Sequence, residues 1–288
     1  MLRLAVRVAR AQAELVLAEL LELAPAGVEE IDDGDAIEYA IYGAPGELPS
    51  LPDLRAAARD ALVEVTTREI DDGWSARWRE FHKPLVLDHR LTVRPPWEPA
   101  TGTPIDVVID PGEAFGTGAH ASTRLCLELL LALARAGRGG PERVGQGGGG
   151  PAPAGAAGGA FVDLGCGSGV LAVTAAKLGF APVCAFDNDP ASVCAAQANA
   201  AVNGVAVRVA RLDLRREPVA PAPTIAANLL APLLLAWAPL VPSECSRVIA
   251  SGLLVHEADG VATAFAAHGL REVDRRARGE WAALLLAR

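Results

Sequence analysis

The stretch Phe161-Val-Asp-Leu-Gly-Cys-Gly-Ser-Gly169 decides the fold. A strand-like run, Phe161 to Leu164, enters a turn with glycine at every second position, and helical periodicity follows from Ser168 to Leu178. Gly165 and Gly167 are expected to let the backbone turn tightly and come close to a ligand that any Cβ would block. The helix that opens there offers free N–H groups at its start. The dinucleotide fingerprint G-x-G-x-x-G/A would need a small residue at position 170, where Val170 stands, and here the third glycine, Gly169, comes one residue early. That spacing fits a nucleoside ligand with no pyrophosphate to cradle. Asp187 lies twenty residues beyond Gly167, at the end of the next predicted strand. A carboxylate there can accept hydrogen bonds from both ribose hydroxyls, a feature shared with NAD-binding proteins.

Working outward, strands and helices alternate. Val183 to Phe186 precedes a helix from Pro190 to Asn203; Val205 to Ala210 is strand-like; Thr224 to Ala227 precedes a helix near Leu233. Val248 to Ser251 then precedes a helix from Glu257 to His268. This order predicts a mostly parallel sheet with helices on both faces. Gly179 and Gly204 stand where left-handed helix caps belong, and Asp189-Pro190 reads as an N-cap with proline at the first helical position. Ligands of parallel sheets sit at the carboxyl ends of strands, so Asn228, closing Thr224 to Ala227, is a candidate to orient a substrate amine or hold the ligand. A turn asparagine is the plainer alternative.

Upstream, Asp110-Pro-Gly-Glu-Ala-Phe-Gly-Thr-Gly-Ala-His-Ala-Ser-Thr123 leads into a helix predicted over Ser122 to Ala136. Phe115, Gly116 and Thr117 are candidates for a loop folded against the ligand. Thr123, in the first helical turn, can offer its hydroxyl to a bound carboxylate. Capping alone would need Ser122 or Thr123 but not Phe115 and two glycines as well. His120, the only histidine in these loops, reads as structural. Between Gly137 and Gly159 lie eleven glycines, a low-complexity insertion before the Phe161 strand.

The first seventy residues read as a separate α+β unit: a strand over Leu2 to Val8, a helix over Gln12 to Leu23, two strands from Gly27 to Tyr42 around Asp33-Gly34, a helix over Leu54 to Leu62 and a strand over Val63 to Ile70. The order β-α-β-β-α-β suits a ferredoxin-like fold. Trp74, Trp78 and Phe81 recur at roughly helical spacing and suggest a connecting helix. The boundaries expected are therefore 1–70, a linker at 71–88, and a larger domain at 89–288 with the glycine-rich insertion at 137–160.

Composition narrows the function classes. Of 288 residues, 51% are hydrophobic and 21% charged, which supports a packed core and excludes global disorder. The net charge of −9 argues against a non-specific nucleic-acid binder. Five cysteines without a C-x-x-C pair fit a reduced cytosolic protein, with neither a disulfide framework nor a zinc site. No signal peptide is read at the start, where arginines and glutamates interrupt any apolar run. The uncharged window 218–243 is long enough for a bilayer but holds six prolines, so a membrane span is not expected.

Together these motifs resemble a known family, the bacterial methyltransferases that modify ribosomal large-subunit protein eleven (the PrmA family). The family's runs D-P-G-x-A-F-G-T-G-T-H-x-T-T, D-x-G-C-G-S-G-I-L-A, D-x-D-P and A-N-I-L match Asp110 to Thr123, Asp163 to Ala172, Asp187 to Pro190 and Ala227 to Leu230. Trp74 to His82, Asn199 to Gly204 and Ser251 to Leu254 also agree. The likeness covers about 70 to 288 well, and the earlier residues mainly in element order.

The resemblance implies an α/β fold, a seven-stranded class I S-adenosylmethionine-dependent methyltransferase domain of Rossmann-like type, preceded by the small ferredoxin-like domain. It implies S-adenosyl-L-methionine as cofactor, with Thr123, Gly165, Asp187 and Asn228 in contact; Phe115, Gly116, Thr117, Asp163 and Gly167 complete the candidate set, and no metal is called for. It implies a cytoplasmic protein N-methyltransferase whose partner is the ribosomal protein, free or on the ribosome, with no direct nucleic-acid or membrane binding. The substrate amine must be neutral, and a lysine with pKa about 10.4 costs roughly 4.6 kcal/mol to deprotonate at pH 7. Asn228 is the candidate catalytic residue, because a neutral acceptor orients an amine without stabilising its ammonium form. Ala119, Ala121 and Ser122 depart from the family pattern and put the contacts of that loop in question. A same-fold enzyme acting on another protein or a small amine, or a non-catalytic cofactor binder, would share these motifs; an NAD oxidoreductase is opposed by Val170.

Overall fold

Side chains alternate between two cores along the central strands: Ile225 and Ala227 face one side of the sheet and Ala226 the other, while Val248 and Ala250 oppose Ile249. Both sides are apolar because both are covered, as a parallel sheet requires. The structure is a computed structural model. It describes residues 2–23, 28–43, 48–49, 51–58, 61–69, 83–110, 120–138 and 159–288. The expected connecting helix with Trp74, Trp78 and Phe81, the loop residues 111–119 and most of the glycine-rich insertion lie outside the described residues. The chain divides into two units, Met1–Phe81 and His82–Arg288.

The first unit runs β1 (Leu2–Ala9), α1 (Ala13–Leu23), β2 (Glu29–Asp33), β3 (Ala36–Gly43), α2 (Leu51–Ala58) and β4 (Leu62–Glu69). Its sheet has the order β2-β3-β1-β4 with all neighbours antiparallel. Leu4, Val6 and Val8 of β1 pack with Ile37, Tyr39 and Ile41 of β3 against Val16, Leu20 and Leu54 of the two helices. The buried Tyr39 hydroxyl donates to the Ala13 carbonyl at 2.9 Å, which satisfies its polar end. Gly34, at φ +71°, closes the β2–β3 hairpin where Asp33-Gly34 predicted a turn.

The second unit opens with a small sheet, β5 (Leu85–Leu87), β6 (Leu91–Arg94) and β7 (Ile105–Val108), and then α3 (Ala121–Arg138). There follow β8 (Phe161–Leu164), α4 (Val170–Lys177), β9 (Val183–Asp187), α5 (Pro190–Val202), β10 (Val207–Arg211), β11 (Thr224–Asn228), α6 (Ala231–Trp237), β12 (Arg247–Leu254), α7 (Ala258–Ala266), β13 (Arg271–Arg278) and β14 (Trp281–Ala287). The large sheet is seven-stranded, in the order β10-β9-β8-β11-β12-β14-β13. Strands β8 to β12 are parallel, and β14 inserts antiparallel between β12 and β13. Periodicity had not marked the small sheet or the β13–β14 pair.

From β8 the chain builds outward through β9 and β10, then returns to place β11 on the other side of β8. That reversal is the topological switch point, where a crevice opens at the carboxyl ends of the strands. On one face α3, α4 and α5 cover the sheet with Leu125, Leu129, Leu171 and Ala196; on the other lie Leu234, Trp237, Val261 and Phe265 of α6 and α7. Among the described residues no helix is long and apolar enough to cross a membrane.

Candidate functional site

At the switch point the glycine turn is held by β9. Gly165 and Cys166 both donate their N–H to the Phe186 carbonyl, at 2.8 and 3.0 Å. Gly165, Gly167 and Gly169 all have positive φ, at +66°, +50° and +78°. The crowding at Gly165 comes from the protein itself: a Cβ there would lie 2.3 Å from the Leu229 side chain. At Gly169 a Cβ would lie 2.9 Å from that of Ala196, so this glycine allows the start of α4 to pack closely on α5. The sequence expectation that glycine makes room for a ligand thus gains a second cause, room for the next strand end and the next helix.

Asp187 ends β9 with its carboxylate turned to the turn. Its Oδ2 accepts from Gly167 N at 2.9 Å and its Oδ1 from Asp189 N at 3.0 Å. Each oxygen keeps a lone pair for a further donor. Asp189 caps α5 by accepting from Ala191 N and Ser192 N, and these bonds, with that from the Ser192 hydroxyl, hold its carboxyl below the usual range. A cavity of about 190 Å³ opens here, lined in part by Leu164, Gly165, Asp187, Asn188, Asp213 and Leu229.

Across β8, Asn228 and Thr123 meet. The Asn228 Nδ2 donates to Thr123 Oγ1 at 3.2 Å, which fixes the amide, and its Oδ1 is buried with no partner among the described residues. A buried acceptor left open at a strand's carboxyl end costs free energy unless something donates to it. Thr123 is itself buried. Neighbouring Ser251 donates from its hydroxyl to the carbonyls of Ser122 and Ala282, and Leu229 N donates to Ser251 O, so β12 backs this corner.

Asp163 sits beneath the turn, 1% exposed. Its Oδ2 accepts from Ala172 N at 3.0 Å and its Oδ1 has no partner among the described residues. Burial, then the charge of Asp187, push its carboxyl up to about 7 against the pull of the Ala172 N–H. His120 lies at the start of α3, its Nδ1 2.8 Å from the Ser122 hydroxyl and its ring edge-on to Trp281. Burial holds its imidazole below the ordinary value. This fits the structural reading of that histidine.

Of the candidates, Gly165 and Asp187 line the cavity, Gly167 bonds to Asp187, and Thr123 and Asn228 form a separate pair beside it, linked through Leu229. Asp163 lies under the turn and does not line the cavity. Phe115, Gly116 and Thr117 lie outside the described residues. Sequence reasoning missed Asn188, Leu212, Asp213 and Arg215, which also line the cavity. The available signal was position: Leu212-Asp213 follows a third parallel strand, β10, at its carboxyl end.

Residues 53–288 match the family model described as ribosomal protein L11 methyltransferase (PrmA). A ribosomal protein L11 methyltransferase of Pelotomaculum thermopropionicum is 37% identical over 228 residues, covering 76% of this chain and 67% of the relative. One of Geobacter sulfurreducens is 33% identical over 276 residues, covering 90% and 83%. The crystal structure of a ribosomal protein L11 methylase from Lactobacillus delbrueckii subsp. bulgaricus aligns with a TM-score of 0.56 at 27% identity, over 71% of this chain and 98% of that one.

Proposed function

The chain belongs to the ribosomal protein L11 methyltransferase family, and from that premise we propose that it methylates amino groups of ribosomal protein L11, on lysine side chains or the N-terminal amine, with S-adenosylmethionine as donor. The observation that carries this reading is the Asn228 amide, anchored through Nδ2 and open at a buried Oδ1, one residue from the wall of a cavity that also holds Asp187. The donor set fits the cofactor: a carboxylate with spare acceptor capacity for ribose hydroxyls, a glycine turn at a helix start, and a neutral acceptor for an amine. When bound, S-adenosylmethionine supplies an electrophilic methyl group on a sulfonium.

In this reading Asp187 and the turn at Gly165 and Gly167 hold the nucleoside, with Asp163 supporting the turn from below. Thr123 contacts it, and Phe115, Gly116 and Thr117 remain candidate contacts outside the described residues. Asn228 accepts a hydrogen bond from the substrate amine and points its lone pair. A carboxylate in its place would favour the ammonium, which cannot attack; the amide does not. The first unit, with its β-α-β-β-α-β order and β2-β3-β1-β4 sheet, is read as a ferredoxin-like domain over residues 1–70 that recognises the ribosomal protein. The expected linker, 71–88, runs into β5 (Leu85–Leu87) of the second unit, so the methyltransferase domain is read to begin before 85 rather than at 89, in a cytoplasmic enzyme.

The test incubates the purified protein with methyl-labelled S-adenosylmethionine and L11 from the same organism, beside Asp187→Ala. Label enters L11 with the wild type and is lost with the variant. Cofactor binding without label in L11 would move the activity to another substrate.

A further inference from the structure

Two asparagines, Asn199 on α5 and Asn203 just past its end, hold segment 108–110 from the side opposite β6. Asn199 is 3% exposed. Its Nδ2 donates to the Ser168 carbonyl at 2.9 Å, inside the glycine turn, and its Oδ1 accepts from Asp110 N at 3.0 Å. One helical turn on, Asn203 accepts from Val108 N at 2.9 Å and returns a bond from Nδ2 to Val108 O. Between them Ile109 N donates the other way, to Arg94 O of β6. The segment 108–110 is therefore held like a strand between a real strand and two side-chain amides.

Among the described residues the Asn203 carboxamide bonds that segment and its own helix. Asn199 bonds both the glycine turn and Asp110. We infer that Asn199 is a positioning residue for cofactor binding: one carboxamide ties the Gly165–Gly169 turn to the backbone at Asp110. It requires a donor and an acceptor at once, which an amide supplies and neither an apolar side chain nor a carboxylate does. The inference rests on the reading that the Gly165–Gly169 turn holds S-adenosylmethionine.

The test is S-adenosylmethionine affinity by calorimetry, with melting followed in parallel, for wild type, Asn199→Asp and Asn203→Asp between pH 5.5 and 8.5. The introduced carboxyl would face Ser168 O of the turn and Asp110 just past β7, with Asp163 and Asp187 behind the turn and Asp189 at the N-cap of its own helix. These surroundings are common to every variant, so the quantity read is the ratio to wild type at each pH. Ionised, the new side chain accepts from Asp110 N but sets a lone pair against Ser168 O; protonated, it can restore both bonds.

Affinity of Asn199→Asp falls tenfold or more at pH 8 and returns to within threefold of wild type at pH 5.5, while Asn203→Asp loses melting temperature without a matching loss of affinity. If Asn199→Asp unfolds at pH 8, its affinity is followed upward from pH 5.5, and Asn199→Ala, folded by circular dichroism, binds at least tenfold more weakly at pH 7. Wild-type affinity in Asn199→Asp across the range, or equal losses in both aspartate variants tracking their melting, overturns the inference and leaves the function standing. Failure of the wild type to bind S-adenosylmethionine removes both.

Discussion

Replacing Asp163 with asparagine is expected to change how stability depends on pH. The carboxyl is 1% exposed, one oxygen has a single backbone donor, and the other has no partner among the described residues. Its pKa stands at about 7 against a model-compound value of 3.8. The folded value lies above the unfolded one, so the native chain keeps a proton that the unfolded chain releases. The stability this contributes is fully present below about pH 4 and is lost as pH rises through about 7. A difference of roughly 3 units corresponds to about 4 kcal/mol, a large part of the 5–15 kcal/mol typical of a domain.

The Asp163→Asn side chain can accept from Ala172 N at any pH. Its NH₂ would occupy the position of the unpartnered oxygen, at a cost of about 1–3 kcal/mol that does not vary with pH. The stability difference, variant minus wild type, therefore rises by about 4 kcal/mol between pH 4 and pH 8.5, whatever its sign at the acidic end. His120, Asp32 and Asp189, whose values are also displaced, titrate in both proteins and cancel in the difference. Urea unfolding at half-unit pH steps, analysed with a shared m-value, reads it directly. Parallel profiles, with a difference that moves by less than about 1 kcal/mol, would refute the claim that Asp163 folds with its proton.

Asp187→Ala removes the candidate ribose acceptor and is expected to weaken S-adenosylmethionine binding by about 1–3 kcal/mol by calorimetry, with some loss of stability from the freed Gly167 and Asp189 N–H groups. Asn228→Ala should lower kcat more than it lowers cofactor affinity in single-turnover assays; a loss confined to affinity would make it a cofactor ligand only. Gly252→Ala puts a Cβ 2.6 Å from the Leu229 carbonyl oxygen at a φ of +80°, and should destabilise by more than about 1 kcal/mol in thermal melts while reducing kcat through the displaced Asn228–Leu229 peptide. Unchanged melting and turnover would show that the β12 bulge yields to the methyl group.

The parallel core was legible because two short-range signals coincide there. Glycines at positive φ and helix caps such as Asp189-Pro190 act within a few residues, so the sequence displays them whatever the tertiary structure. The small sheet was not legible. Its strands are three or four residues long, too short to show a period, and Leu91 and Val107 are buried in a core shared with residues far along the chain, such as Leu171 and Val173. Strand β13 is missed for another reason: at the sheet edge its residues, such as Arg271, Arg275 and Arg278, are mostly exposed and charged. That protects an edge from pairing with other chains and erases the apolar alternation by which strands are read.

Gly165 shows where sequence reading of the site stops. Its position after a strand correctly marked a turn at the crevice, and a requirement for absent side chain follows from the spacing alone. The space it leaves is filled by Leu229, 64 residues later and on the far side of the switch point. The same residue places its N–H on Ser251 O and crowds Gly252. Leu229 therefore touches the glycine turn, β12 and, through the chain, Asn228. The depth of the Asn228 amide relative to the turn is set by that three-way packing, which no local pattern encodes. It follows that substitutions at Leu229 should move nucleoside binding and turnover together. Leu229→Ala, which opens space beside Gly165, should weaken S-adenosylmethionine binding and lower kcat, whereas Leu230→Ala, at an exposed side chain, should leave cofactor affinity unchanged. Equal affinity in the two variants would mean that the turn keeps its own shape and that Leu229 merely follows it.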